Sequence, residues 1–471
     1  NNSAIVTKTE NNHPEKSVTL NGCVSITMAN LIQPRTLKGF RDYPPALMIP
    51  REEILQKARQ VYRSFGFAPI DTPALEYTEI LLGKGGAESD KIIYRFKDHG
   101  ERDVALRFDL TVPFARFAAQ YVPALGTPFK RYHMGPVWRG ENTSHGRYRE
   151  FWQCDFDTIG TTSNSADIET VLVIYSLFRA IGFEKFQIRV NNRLILSGML
   201  EALGLADKAV EVLRALDKLP KVGEGPVVEE MGQYGIPADK AAKVLQLASH
   251  KGSSDEILAF VTAQFGENPK VQDGVKRLSE MLVVARETGI PEGALQVDLS
   301  IARGLDYYTG TIFETFLTDM PQIGSVCSGG RYDNLAGLYT KVALPGVGAS
   351  LGLDRLLAAM EEMKLLPSSV SSAPVFMVRF SQVPLGTYEK TAALLRAGGV
   401  GVELYPEEKK IGSQLQYAEK RGFKFAVIAG PDDFSKGEFK IKDLAARQEI
   451  SCSKDQLLAQ LRTLLGFKYP E

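Results

Sequence analysis

The densest run of side chains capable of chemistry is "RGENTSHGRYREFWQCDFD", which holds Arg139, Glu141, Arg147, Arg149, Glu150, Gln153, Asp155 and Asp157. On a strand, residues two apart share a face, so Gln153, Asp155 and Asp157 line one side while Cys154 and Phe156 line the other. Polar groups converging on one face with apolar neighbours suit a lined pocket. A solvated sheet face carrying surface ion pairs is the plainer alternative. In "LRFDLTVPFAR", Asp109 and Thr111 sit two apart at the end of an apolar strand, where a carboxylate could hold an ammonium group. They could equally form an N-cap for the next helix, with Thr111 capping and Pro113 in the first turn.

A third cluster is "ARGLDYYTG", where Arg303 interrupts apolar text and is followed by the paired tyrosines Tyr307 and Tyr308. An arginine there is expensive to bury unless it meets an anion. Its planar fork suits a phosphate or carboxylate, and a structural Arg303–Asp306 pair is the alternative. In "GVGASLGLDRLL", Gly346, Gly348 and Gly352 would let a ligand approach the backbone, and Arg355 opens the next helix. The spacing is neither a dinucleotide fingerprint nor a phosphate-binding P-loop. A nucleotide must then be held by arginines against a sheet surface. With no Ser-His-Asp or Cys-His signature, and with His133 and His145 only flanking the polar strands, the chemistry reads as positional and electrostatic. Arginines and a metal ion would neutralise a phosphoryl centre while a substrate carboxylate, already ionised at pH 7, attacks it.

These side chains need elements to place them. A helix is predicted after Pro50, with Ile54, Leu55, Ala58, Val61, Tyr62 and Phe65 on one face and Gly66 as its stop. A short strand ends near Pro69, an alternating strand carries Val104, Leu106 and Phe108, and a helix follows Pro113. "TPFKRYHMGPVWRG" and "YREFWQCDFDTIG" read as two strands around a polar loop, and a long helix runs from about 165 to 180. Residues 200–290 have helical period throughout. The strand pattern resumes with Val297, Leu299 and Ile301 on one face and Asp298 and Ser300 on the other, and "PGVGASLGLDRLLAAMEEM" reads as a strand entering a helix. "LLPSSVSSAP" is a linker, and the text beyond it has βαβ character.

The partition is a tail at 1–30, a first catalytic part at 31–199, a helical insert at 200–290, a second catalytic part at 291–366, a linker at 367–373 and an α/β module at 374–471. The tail lacks periodic apolar residues. Met28 stands as an alternative start, and Glu10 and Glu15 argue against a transit peptide. With 471 residues, 44% of them hydrophobic, and 56 basic against 56 acidic side chains, the chain is neither a disordered polymer nor a diffuse polycation. The last module has 15 basic and 12 acidic residues from Ala373 on, a sign that suits nucleic acid only weakly. Four scattered cysteines and five histidines without ligand spacing predict no zinc site, no disulfide framework and a reducing, cytoplasmic setting. No apolar run approaches the length that crosses a bilayer, so no membrane partner is expected.

Several of these segments together resemble the histidyl-tRNA synthetases, a family of class II aminoacyl-tRNA synthetases. The likeness spans about residues 34 to 468. "KGFRDYPP" resembles the family's N-terminal signature, and "FGFAPIDTPALE" its motif 1 with Pro73. "YHMGPVWRGEN…GRYREFWQCDFDTIG" is similar to motif 2, "ARGLDYYTGTIFE" with "CSGGRYDNL" to the histidine-binding segment, and "PGVGASLGLDRL" to motif 3.

The resemblance implies an α+β protein with an antiparallel catalytic sheet flanked by helices, a helical insertion domain and a C-terminal α/β anticodon-binding domain. It also implies a homodimer using ATP, Mg²⁺, L-histidine and tRNA(His). By the same resemblance Arg139 would contact the ATP α-phosphate, Glu141 would place ATP, Phe151 would stack on adenine and Arg355 would meet the γ-phosphate. Asp109 would take the α-ammonium of histidine beside Thr111, Gln153 would orient the amino acid, and Asp157 and Tyr308 would read the imidazole, with Tyr307 also on the substrate. Arg303 would bridge the substrate carboxylate and the α-phosphate, with Arg147 nearby. No resident metal ligands are implied. The stretch Thr143-Ser144-His145 departs from the Pro-containing turn common in the family. Two other readings are a regulatory paralogue acting on ATP phosphoribosyltransferase, which lacks the last domain, and a non-catalytic RNA-binding scaffold.

Overall fold

The computed structural model describes residues 32–83, 92–302, 308–366 and 369–467, with the backbone alone described at 220 and 221. The chain divides into Asn1–Lys38 and Gly39–Glu471. Of the first unit, residues 32–38 are described, exposed and without helix or strand. The proposed tail and Met28 lie outside the described residues, as do Arg303, Tyr307 and the first two residues of the linker.

The second unit is built on eight strands: β1 (Ala68–Pro69), β2 (Phe129–Trp138), β3 (Glu150–Ile159), β4 (Phe186–Asn192), β5 (Leu295–Val297), β6 (Thr311–Leu317), β7 (Cys327–Tyr332) and β8 (Gly346–Gly352). Their order across the sheet is β1-β2-β3-β8-β7-β6-β4-β5. Pairing is antiparallel from β2 to β4. It is parallel at the two edges, β1 on β2 and β4 on β5.

One face of this sheet is apolar. Cys154, Phe156, Ile188, Val190, Phe313, Val347 and Leu351 pack there against α1 (Pro45–Ser64) and α3 (Asn164–Ile181). The second of these helices is pinned to β7 by a buried ion pair, with Arg331 Nε donating to Asp167 Oδ2 at 3.0 Å and Oδ1 at 3.2 Å. A small antiparallel sheet of Leu75–Tyr77, Asp103–Leu106 and Arg95–Lys97 packs against α2 (Thr111–Leu125), sharing a core with Ala105, Phe114 and Ala118.

Between β4 and β5 the chain is helical, from Arg193–Ala202 through Pro269–Glu287. Its buried side chains divide. Most of those from Leu196 to Ala248 form a core of their own with Ala302, while Met199 and Leu247 join the core of the large sheet. The helices Ser254–Phe265 and Pro269–Glu287 bury Ile257, Val261, Leu278 and Met281 in the core of the large sheet instead. After the linker, five strands assemble in the order Val402–Leu404, Val375–Met377, Phe425–Ile428, Glu438–Asp443, Glu449–Ser453. The first three are parallel, as βαβ connections require.

Several element ends differ from the expectation: the strand through Val104 and Leu106 stops before Phe108, and the helix expected after Pro113 begins at Thr111. The first helix starts at Pro45, where a proline at N1 loses no intrahelical bond, so Pro50 lies inside the helix and not ahead of it. The strand expected through Val297, Leu299 and Ile301 stops at Val297. Asp298 ends it: its Oδ1 accepts from the Ser300 N–H at 3.0 Å and from the Ser300 hydroxyl at 2.6 Å, which folds the backbone into a turn. Leu299 and Ile301 stay buried without a ladder.

Candidate active site

Alternation along β3 sends Cys154 and Phe156 into the core and Gln153, Asp155 and Asp157 onto the opposite face, as the sequence pattern predicts. That face closes two adjoining cavities. The first, about 210 Å³, is lined by Asp109, Thr111, Gln153, Asp155, Asp157 and Tyr308, among others. The second, about 220 Å³, is lined by Glu141, Arg147, Phe151 and Arg355, among others. Arg139, Gln153, Ser328 and Ser350 line both. Of the twelve residues to which the resemblance gives a role at the site, ten are thus brought together, and the other two, Arg303 and Tyr307, lie outside the described residues.

Register explains the space. Asp157 is paired across the sheet with Gly348 on one side and Arg131 on the other. A side chain at Gly348 would collide with the Asp157 carboxylate, so the glycine leaves room for the acid. Asp157 is buried: Tyr332 donates its hydroxyl to Oδ1 at 2.6 Å, while Oδ2 lies 2.6 Å from Arg131 Nη2 as an ion pair and accepts no hydrogen bond among the described residues. Burial raises its pKa while Arg131 opposes the rise. Asp155 is also buried, and desolvation pushes it up to about 7 against the pull of Arg131. Gln153 Nε2 donates to Ser350 Oγ at 3.1 Å.

Asp109 lines the first cavity, and its Oδ1 accepts from the Val112 N–H at 3.0 Å; the N-cap position of α2 is Leu110, so Thr111 does not cap the helix as the alternative reading had it. Burial raises its pKa as well. In the second cavity, Arg139 donates from Nε to the Phe108 carbonyl at 2.9 Å, and its guanidinium carbon lies 5.2 Å from the centre of the Phe151 ring. Arg355 Nη1 donates to the Ser325 carbonyl at 2.6 Å, and Arg147 lies 3.7 Å from Glu141. The departing stretch closes as a tight turn, with reciprocal backbone bonds between Ser144 and Arg147 and Gly146 at φ 68°. His145 there is exposed and 3.4 Å from Glu362.

Sequence reading passed over Arg131, Tyr332, Ser328 and Ser350. Tyr332 stood in a quoted motif but was given no role. The register pairs residues 131, 133 and 135 of β2 with 157, 155 and 153, so Arg131 shares their face, which no local sequence pattern discloses. Among the described residues, no group of three or more His, Cys, Asp or Glu side chains is placed to hold a metal ion.

The arrangement pairs a pocket lined by acidic side chains with one lined by Arg139, Arg147 and Arg355, and Arg139 lines both. Comparison with known proteins bears on the family. A family model described as "Histidyl-tRNA synthetase" matches residues 39–356, and one described as "Anticodon binding domain" matches 380–464. The chain is 57% identical over 419 residues to a protein of Rhodopirellula baltica named "Histidine--tRNA ligase", covering 89% of this chain and 95% of that one. A protein of the same name from Wolinella succinogenes is 43% identical over 439 residues, covering 93% and 99%. The crystal structure of histidyl-tRNA synthetase from Nostoc sp. PCC 7120 superposes with a TM-score of 0.84 at 33% identity, over 92% of this chain and all of that one.

Proposed function

The chain belongs to the histidyl-tRNA synthetase family, and from that premise we propose that the two joined cavities are the histidine and ATP halves of one activation site. The enzyme activates L-histidine with ATP, releasing pyrophosphate, and passes the histidine from histidyl-adenylate to the 3′ end of tRNA(His). The observation that carries the site assignment is the shared wall: Arg139 faces both cavities, where a carboxylate from one side and an α-phosphate from the other would meet.

In this reading Asp109 and Thr111 take the ammonium group, Gln153 orients the backbone of the amino acid, and Asp157 and Tyr308 read the imidazole. Glu141, Phe151 and Arg355 hold ATP, with Arg147 beside them. Arg303 and Tyr307 belong to the same proposal by their place in the motif. The histidine carboxylate attacks the α-phosphorus and pyrophosphate leaves. Negative charge grows on the equatorial oxygens, and Arg139 stands where that charge develops. A ribose hydroxyl of the tRNA then attacks the acyl carbonyl and AMP leaves. An apolar side chain of imidazole size would leave Asp157 and Tyr308 unpaired, a loss that reaches roughly 10⁴–10⁵ in discrimination.

Magnesium fits as an ion carried by ATP. It commonly binds through substrate phosphates and one or two carboxylates, and Glu141 is the cavity carboxylate available to it, since Asp354 accepts from the Trp152 N–H at 2.6 Å and from the Tyr43 hydroxyl. When bound it would screen the phosphate charge. A homodimer is supported by an open groove of about 660 Å³ in the motif 1 region, where Leu75, Tyr77 and Tyr121 are exposed. Among the described residues no helix is long and apolar enough to cross a membrane. A cytoplasmic setting is proposed on the role in charging tRNA. The domain boundaries given by the sequence are retained, with the independent core of the insert ending near Ala248. The regulatory-paralogue reading is not favoured, because the last domain is present and matched.

The test is ATP–pyrophosphate exchange with each of the twenty amino acids singly, without tRNA. Exchange with histidine alone is expected. A folded sample that exchanges with none would overturn the assignment.

A further inference from the structure

Arg131 is completely buried beneath the histidine-side cavity, and one nitrogen of its guanidinium does most of its bonding. Nη2 lies 2.6 Å from Asp157 Oδ2 and 3.8 Å from Asp155 Oδ2, and it donates to the Leu110 carbonyl at 3.3 Å. Those acceptors stand on different walls. Asp155 and Asp157 belong to β3, whereas Leu110 is the residue between Asp109 and Thr111. The guanidinium carbon also sits 4.3 Å from the centre of the Phe114 ring in the first turn of α2.

A pair selected for stability alone would set both tips of the fork on one carboxylate. Here Nε and Nη1 have no hydrogen-bond partner among the described residues, nor do Asp155 Oδ1 and Asp157 Oδ2, so the 2.6 Å approach of Nη2 to Asp157 is an ion pair and not an aligned hydrogen bond. A buried cation that leaves two donors unused is costly as a structural device. The neighbouring His133 supplies no second cation, because burial, Arg131 and Arg107 push its pKa down to about 3. Of the two groups on β2, Arg131 therefore supplies the charge that faces the aspartates of β3, with Arg107 also near Asp155.

We propose that Arg131 is a positioning residue for histidine recognition, fixing through one nitrogen both the carboxylate that reads the imidazole and the turn that presents the ammonium site. This rests on the assignment of Asp109 and Asp157 to the histidine pocket. Arg131 touches neither substrate nor reacting atoms. It sets the distance between two groups that do, so its loss loosens selection for the amino acid and leaves the ATP half unaltered.

The experiment measures pyrophosphate exchange by full-length R131K and R131M, with R131M expected to be the worse variant. KM for histidine should rise roughly tenfold or more in R131M, the scale of a lost hydrogen bond to a charged group, while KM for ATP stays within about twofold of the parent. R131K, which keeps the charge but not the reach to both walls, should recover part of the loss. Both should discriminate less well between histidine and β-(2-thienyl)alanine, a ring of similar size without N–H groups. If R131M fails to fold, R131K alone decides. Unchanged histidine KM and unchanged discrimination in a folded variant would overturn the proposal, and so would parallel rises in the two KM values, which mark general damage. D157N separates this from the pocket assignment: if it leaves the histidine KM intact, the pocket reading falls, whatever Arg131 does.

Discussion

Burial brings the titration of Asp155 into the range of ordinary changes of pH. This residue sits on β3 opposite His133 of β2 and 3.8 Å from Arg131 Nη2, beside Asp157 on its own face, with Asp109 and Arg107 near it. Burial lifts its pKa from 3.8 to about 7, so the folded protein holds a proton there that the unfolded chain has released. The unfolded state binds fewer protons between those limits, and stability therefore falls as pH rises from about 4 to 7, by at most about 1.4 kcal/mol per unit from this group. Asp155→Asn has no proton to lose. Thermal unfolding of the two proteins should differ least at pH 5, with the variant gaining relative stability by pH 8. A constant difference across that range would show that Asp155 is ionised throughout. The same residue shows what the sequence could and could not disclose. That Gln153, Asp155 and Asp157 share a face follows from the period of a strand, and the cavity confirms it. That Arg131 stands opposite depends on the pairing of two strands separated by a loop, which no local pattern contains.

At the scale of elements, β8 is where backbone choice and site are hardest to separate. Glycine weakens a strand interior, yet Gly346 and Gly348 both lie in β8, facing positions where a methyl group would meet Tyr332 and Asp157. The Gly348→Ala methyl would strike the Asp157 carboxylate and the Phe156 carbonyl, and β3 cannot withdraw without breaking its ladder. We expect a loss of about 1–3 kcal/mol in unfolding free energy, the usual scale of overpacking, with histidine-dependent exchange falling much further than stability does. Normal exchange from Gly348→Ala would mean that Asp157 does not need its observed place. The glycines were legible as a close backbone approach, although the sequence pointed to a ligand as the visitor. The visitor at Gly348 is a side chain of the neighbouring strand, and the ligand space lies beyond it. The turn at Asp298 escaped for a related reason. Alternating apolar residues read as strand, while the side-chain bonds from Asp298 to Ser300 that end it compete with the ladder and leave the apolar pattern intact.

For the whole molecule, the helical insert and the final module were visible as changes of text, but only the packing shows how independent each is. The cores of the final module are made entirely of residues from Ala373 onward and share none with the core of the large sheet. Val370 already belongs to that side, since its N–H donates to the Arg421 carbonyl at 3.0 Å. Both candidate cavities are lined wholly by residues before the linker. A chain ended at Leu366 therefore removes no side chain from either cavity and opens no part of the catalytic core. It should retain histidine-dependent pyrophosphate exchange within about tenfold of the parent, because activation draws only on groups that remain. Transfer to tRNA(His) should fall by a far larger factor, since binding contributed by a remote module is lost with it. Comparable losses in the two assays would show that the last module supports the catalytic body, and unimpaired transfer would show that tRNA selection rests on the acceptor end alone.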